Sequence, residues 1–263
     1  MCRLAAYLGP PISLRQFFLA PAHSLYRQSW DPRELTEARL NADGYGVAWQ
    51  QADGRMGRYT QPMAAWNDLN LPSLADALTS PMWLGNVRSA TPGQTVHAIN
   101  TQPYAVDRLA MTHNGYLSGL AQGGRGRMLA RLSDQIQADL HGTTDSEYLF
   151  ALVRQALVDQ ATSLEQALVI ALEHAVLDTG RQPALLNVCL SDGQTLVFSR
   201  YSVDRPNPSL YWHPAHPAYA GGQLLASERF DEDPGWREVQ TDSLTVLEPG
   251  QPPRQTALPQ PRA

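Results

Sequence analysis

DSEYLFALVRQALVDQATSLEQALVIALEHAVLDTG, residues 145–180, carries the clearest helical periodicity in the chain, and its place among the other elements decides the fold. In its first half Leu149, Leu152, Val153 and Leu157 recur three or four residues apart, the spacing that gathers side chains on one helix face, with Tyr148 and Phe150 at the flanks. From residue 163 the apolar stripe repeats and ends at Gly180, a common helix stop. Thr144 and Glu147 match a capping box at the entrance. Two neighbouring helices, over 145–160 and 163–180, are therefore expected to pack antiparallel.

Working outward, the flanking segments are short, apolar and punctuated by turn residues. Strands are expected at 2–8 (CRLAAYL), 43–50, 82–89 and 108–113, with a further helix at 126–141. Beyond the helix pair, residues 184–201 read as two apolar strands joined through Asp192-Gly193, a favoured tight turn. Residues 209–214, 222–228 and 243–249 supply more strands. Strands, a helix pair, then strands again is an α+β pattern rather than alternating βαβ. The architecture it fits is a four-layer αββα sandwich, two mainly antiparallel sheets between helix layers. No repeat or composition break marks a linker, so a single domain over 2–250 is expected, followed by a disordered Pro-rich tail at 251–263.

Composition narrows the function. The chain has 263 residues, 43% hydrophobic and 17% charged, which is enough to bury a substantial core. A net charge of −5 gives no electrostatic reason to expect nucleic acid or an anionic membrane as partner. All 20 basic residues are arginine, which removes lysine Schiff-base chemistry, lysine-anchored pyridoxal phosphate and lysine-dependent phosphate loops. There is no glycine-rich phosphate loop, and no cofactor is expected. Two cysteines, Cys2 and Cys189, make no disulfide framework. With no signal-peptide pattern and no apolar run near ~18 residues, a cytoplasmic location is expected.

Several short stretches carry polar chemistry, each with a plainer structural reading beside it. Cys2 is either a small apolar strand residue or, once Met1 is trimmed, a thiol sharing a carbon with a free α-amine of pKa near ~8. Arg88, the single charge of GNVRSAT (85–91), needs an anionic partner from the protein or from a ligand. Asn114-Gly115 in THNGYL (112–117) is a strong hairpin signal, or a pair of donors for a developing alkoxide. Asp145, in TTDSE (143–147), is left over by the capping box and is free to meet a substrate ammonium. NADGYGVAW (41–49) is a glycine turn, LLASERFDEDPGW (224–236) an acidic loop that is either solvated surface or one wall of a pocket, and WHPAHP (211–216) offers two histidines with no neighbouring ligand at metal spacing, so no metal is expected. Cys189, among Leu and Val, reads as core.

The order of these stretches carries more than any one of them. A second-position Cys, then DGYG, VRSAT, NTQPY (100–104), HNG and TDSE, resembles the class II glutamine amidotransferases, a family of N-terminal-nucleophile hydrolases. The motifs span roughly residues 2–150, with a looser likeness to about residue 240. What the resemblance implies is an Ntn-type sandwich with Cys2 as nucleophile and its own α-amine as base. It further implies Arg88 holding the α-carboxylate of a glutamyl group, Asn114 and Gly115 forming the oxyanion hole, and Asp145 binding the α-ammonium. Met1 in place would leave the amine in a peptide bond and the arrangement inactive.

Two departures from the larger members stand out: no second catalytic module follows, and Pro92 replaces the histidine that often follows the arginine motif. MCR, NADGYGV, VRSAT and LLASERFDEDPGW are similar to one stand-alone group, the γ-glutamyl hydrolases of ergothioneine biosynthesis. The implied activity is cleavage of a small-molecule γ-glutamyl amide through a thioester. The alternatives are a glutaminase that needs a separate acceptor enzyme for its ammonia, and a non-catalytic amino-acid-binding or regulatory protein.

Overall fold

The computed structural model describes residues 2–35, 40–90, 93–160 and 163–259. Fourteen strands are formed among these residues. They are β1 (Arg3–Ser13), β2 (Tyr45–Gln50), β3 (Met56–Gln61), β4 (Thr79–Val87), β5 (Tyr104–Val106), β6 (Leu109–Leu117) and β7 (Ala184–Ser191). Then follow β8 (Leu196–Arg200), β9 (Ser202–Val203), β10 (Tyr211–His216), β11 (Gly222–Ala226), β12 (Arg237–Glu238), β13 (Ser243–Leu247) and β14 (Arg254–Ala257). The helices are α1 (Leu25–Gln28), α2 (Leu71–Ala77), α3 (Arg125–Leu129), α4 (Asp134–Ala138), α5 (Asp145–Gln160) and α6 (Leu164–Asp178).

The strands make two sheets whose pairings are antiparallel. One runs β12-β10-β11-β1-β4-β2-β3, the other β14-β13-β8-β7-β6-β5, with β9 beside β7. Strand side chains alternate between faces, and the core divides accordingly. Leu4, Ala6 and Leu8 of β1 join Met82 and Leu84 of β4 and Cys189 of β7 between the two sheets. Ala5 and Tyr7, with Trp83 and Val87, point the other way and pack against Phe17, Phe18, Leu25, Leu71 and Ala75. On the second sheet Leu186, Val188 and Leu190 meet Leu149, Leu152 and Val153 of α5 and Leu168, Ala171, Leu172 and Ala175 of α6. The expected four layers are present, with one difference: the layer over the first sheet is built from short helical turns.

Other differences have local causes. β1 continues past Gly9-Pro10-Pro11 because its partner β4 carries it through, with a register shift between Leu8 and Ile12 that accommodates the prolines. The helix expected at 126–141 is two pieces, α3 and α4, and the Ser133 N–H between them is taken by the Gln155 side chain of α5 at 2.8 Å. Residues 254–257 were expected in a disordered tail but pair with β13, from Ser243↔Ala257 to Val246↔Arg254; the last four residues of that tail lie outside the described residues. Asp192-Gly193 lies between β7 and β8 as expected, with Gly193 at φ +90°, but Ser191 pairs with Leu196, so the connection is a four-residue loop over 192–195 rather than a two-residue turn.

Candidate active site

Antiparallel pairing brings the polar motifs to one end of the sandwich. Arg3 of β1 stands opposite Val87 of β4, and Tyr45 of β2 stands on the other side of Val87. The residues just beyond these pairs are therefore neighbours: Cys2, Arg88 and the Asp43-Gly44 turn. Two backbone bonds close the turn onto the arginine, Asp43 N–H to Arg88 O at 3.0 Å and Arg88 N–H to Gly44 O at 2.8 Å. From the second sheet β6 contributes Asn114 and Gly115. Asp145 opens α5 and is tied to the same strand, its Oδ2 accepting the Leu117 N–H at 2.8 Å.

These elements wall a polar cavity of about 560 Å³ lined by Cys2, Arg88, Gly115 and Asp145, together with Ser89, Gln94, Asn100, Gln102, Tyr116, Thr144 and Ser146 among others. Four of the five residues singled out from the sequence thus line one cavity. The fifth, Asn114, is fully buried and reaches the region through Ser227: its Nδ2 lies 3.4 Å from Ser227 Oγ, which also accepts the Leu4 N–H at 3.0 Å. Asn114 Oδ1 has no partner among the described residues. The hairpin reading of Asn114-Gly115 does not hold, because β6 runs straight through both residues, paired from Ala110↔Ser191 to Leu117↔Ala184.

The electrostatics of the cavity are specific. Cys2 is 8% exposed, with Sγ 3.8 Å from Ser89 O. Burial pushes its thiol up, against the pull of the Ser89 backbone and of the Arg88 and Arg3 charges. A thiol in that state needs a base to act as a nucleophile. Arg88 is 3% exposed and has no carboxylate partner among the described residues. Its guanidinium donates to Asp43 O at 3.4 Å, Thr95 O at 3.5 Å and the Gln94 side chain at 3.2 Å. These are long bonds to neutral acceptors, so the cation's charge remains available to an incoming anion. Asp145 Oδ1 accepts from the Ser146 N–H at 2.8 Å, and its oxygens retain lone pairs for a further donor. Thr144 Oγ1 caps the helix by accepting the Glu147 N–H at 3.2 Å, while the Glu147 carboxylate serves the His141 and Gly142 N–H groups instead. Met1 lies outside the described residues, as do Thr91 and Pro92.

A glutamine amidotransferase class-II family model matches residues 22–205. The chain belongs to the class II glutamine amidotransferases. Among curated proteins, it is 30% identical over 241 residues to the probable glutamine amidotransferase DUG3 of Saccharomyces cerevisiae, covering 81% of this chain and 67% of that protein. It is 29% identical over 246 residues to the γ-glutamyl-hercynylcysteine sulfoxide hydrolase of Mycolicibacterium smegmatis, covering 91% and 92%. Among solved structures, a glutamine aminotransferase class-II domain protein from Silicibacter pomeroyi superposes with a TM-score of 0.70 at 27% identity, over 99% of this chain and 100% of that one.

This amidotransferase chain also holds polar residues near the site that the motif reading did not single out. Gln102 accepts the His113 N–H at 2.5 Å and donates to His113 O at 3.0 Å and Ser146 Oγ at 3.2 Å, bracing β6 against α5. Ser227 and Glu228, read from sequence as part of an acidic loop, are buried, Ser227 bonded to Leu4 and Glu228 to Arg3. The two histidines of WHPAHP acquire the carboxylates that sequence spacing hid: His213 Nε2 meets Asp233 Oδ1 at 2.9 Å and His216 Nε2 meets Asp231 Oδ2 at 3.1 Å. The ligand atoms of His213, His216 and Asp233 lie within 4.8 Å of one another. Each Nδ1 accepts a backbone N–H, from Ala215 and Ala218, so the ring proton sits on Nε2 and is donated to the aspartate. A cation at Nε2 would have to displace that proton and leave the ring with none. The pairs act as braces that fasten residues 231–236 onto β10. No helix among the described residues is long and apolar enough to cross a membrane.

Proposed function

We propose that this chain is a Cys2-dependent hydrolase of γ-glutamyl amides, with γ-glutamyl-hercynylcysteine sulfoxide as its substrate. The observation that carries the reading is the polar cavity lined by both a buried cysteine and a buried arginine that lacks an anionic partner among the described residues. An amino acid binds there by both ends: its α-carboxylate on Arg88 and its α-ammonium on Asp145. Its γ-carbonyl then lies against Cys2.

With Met1 removed, the Cys2 α-amine takes the thiol proton and Sγ attacks the γ-carbonyl carbon. The carbonyl electron pair moves onto oxygen, which Asn114 Nδ2 and the Gly115 N–H stabilise. Collapse of this adduct breaks the C–N bond, and the α-ammonium returns the proton to the departing nitrogen. Water, deprotonated by the same amine, cleaves the thioester and frees glutamate. Removing one oxyanion donor in such sites costs about 10²–10³ in rate.

Support for a bulky leaving group comes from the cavity, since about 560 Å³ is more than one amino acid fills. It comes also from the likeness to the mycobacterial hydrolase over nine-tenths of both chains. The likeness to a probable glutamine amidotransferase favours a second reading, glutamine hydrolysis coupled to an acceptor enzyme. Glutamate release from glutamine, γ-glutamyl anilide and γ-glutamyl-hercynylcysteine sulfoxide separates the two. Protein with Met1 removal confirmed by mass is compared with Cys2→Ala. Cys2-dependent turnover confined to the sulfur conjugate is expected; turnover of glutamine favours the second reading, and no turnover of any of the three refutes both.

A further inference from the structure

Beside the cavity, outside its lining, lies a buried network centred on Arg3 and Glu228. Arg3 is fully buried; its Nε donates to the Cys2 carbonyl oxygen at 2.8 Å and its Nη1 reaches Glu228 Oε1 at 3.4 Å. Glu228, 1% exposed, also accepts from His23 Nε2 at 2.7 Å, the Arg33 N–H at 2.8 Å and the Glu34 N–H at 3.1 Å. The residue before it, Ser227, donates its N–H to Leu4 O at 2.9 Å and links Leu4 N–H to Asn114 through its hydroxyl.

We infer that Glu228 is a positioning residue for Cys2, acting through Arg3: the pair clamps the peptide that follows the nucleophile and balances the charge beside it. The inference rests on the reading of Cys2 as nucleophile. A residue that begins the processed chain is restrained covalently on one side only, so the Nε bond to its carbonyl decides where Sγ and the amine point. Stability alone is a poor reason for such a pair, because burying two charges costs about what their attraction returns. Arg3 Nη2, moreover, is buried with no partner among the described residues.

The charged and titratable groups around Cys2 and Arg3 come from several elements: Arg88 at the end of β4, Asp145 at the start of α5, Glu228 after β11, and His23 and Glu34 from the segment around α1. Arg88 and Arg3 favour the thiolate, and Glu228 offsets Arg3. Burial works against the Glu228 anion, but the bonds from His23, Arg33, Glu34 and Arg3 outweigh it and hold the carboxyl below its usual range. Neutralising Glu228 therefore leaves Arg3 uncompensated beside the thiol and the amine.

The test uses Met1-processed protein and reads Cys2 alkylation by iodoacetamide against pH, which requires no substrate. In Glu228→Gln the alkylation midpoint should fall by about one pH unit, with kcat lower by roughly tenfold or more and KM unchanged. Removing both charges in Arg3→Met/Glu228→Gln should return the midpoint to the wild-type value while kcat stays low. Should neither fold, Arg3→Lys keeps the charge and loses the Nε bond, so kcat should fall with the midpoint and KM unchanged. A Glu228→Gln profile that superimposes on wild type, or an Arg3→Lys enzyme with wild-type kcat, overturns the inference. A shifted profile without turnover of any γ-glutamyl compound overturns the proposed function alone.

Discussion

Gly115→Ala is the sharpest test of the cavity's geometry. Gly115 stands opposite Leu186 in the central β6–β7 ladder, and a Cβ added there would lie 1.7 Å from Leu185 O and 2.6 Å from His113 Nε2. Glycine is required here by close approach of neighbouring backbone, not by a left-handed conformation. The backbone would have to retreat by roughly 1.3 Å merely to reach the 3.0 Å floor of real Cβ contacts, within a close-packed interior. Leu185 O is also the acceptor for His113 Nε2 at 2.9 Å, so the retreat strains a buried bond. Overpacking of this kind costs about 1–3 kcal/mol, and contact with backbone on a central strand places it at about 3. In a chain of this size that lowers Tm by roughly 6–12 °C. Displacement of the Gly115 N–H by about 1 Å should further reduce kcat by about 10² in the fraction that folds. Urea unfolding followed by far-UV circular dichroism, with glutamate release at matched folded protein, measures both. A variant with the wild-type urea midpoint and wild-type turnover would refute the packing argument and the oxyanion role together.

Two further outcomes are expected. Arg88→Met should raise KM for γ-glutamyl compounds by at least about 10²-fold, since charge-assisted bonds to a carboxylate are worth roughly 1.5–3 kcal/mol each; steady-state kinetics with an unchanged KM would remove Arg88 from substrate recognition. Burial holds the His113 imidazole below its ordinary value, with Asp145 pulling the other way, so the folded chain binds that proton less readily than the unfolded one. The contribution of neutral His113 to stability is therefore complete above about pH 6.5 and is lost as pH falls from there towards the folded value. Urea midpoints between pH 5 and 8 should show this acid-side loss for wild type and a smaller one for His113→Gln, and equal losses would contradict it.

The elements were legible where local pattern and tertiary demand agree. The stripe through Leu149, Leu152 and Val153 marked a helix because those side chains meet the second sheet, and the short apolar run at 2–8 marked a strand because both faces of β1 are buried. Reading failed where a distant partner overrides a local signal. Pro10 and Pro11 suggested an end to β1, yet pairing with Thr79 and Ser80 extends it. Asn114-Gly115 suggested a turn, yet β7 holds both in a ladder because Leu185 O and the His113 ring leave room for glycine alone.

The same physics explains why residues of the candidate site could be proposed from sequence and their supports could not. Cys2, Arg88, Asn114, Gly115 and Asp145 each stand in a short motif whose residue types suit a chemical role, so order along the chain was enough. Ser227 and Glu228 stand in LLASERFDEDPGW, which reads equally as solvated surface or as one wall of a pocket, and nothing local gives either residue a role. Their burial follows from β11 pairing with β1, where Ala5 meets Ala226, which carries the next two residues past the strand that follows Cys2. That contact joins positions 225 residues apart, Arg3 and Glu228, and no periodicity or spacing encodes it. The proposed nucleophile, Cys2, thus has its support on residues that follow β11, remote in sequence but carried by the strand next to β1 in the same sheet.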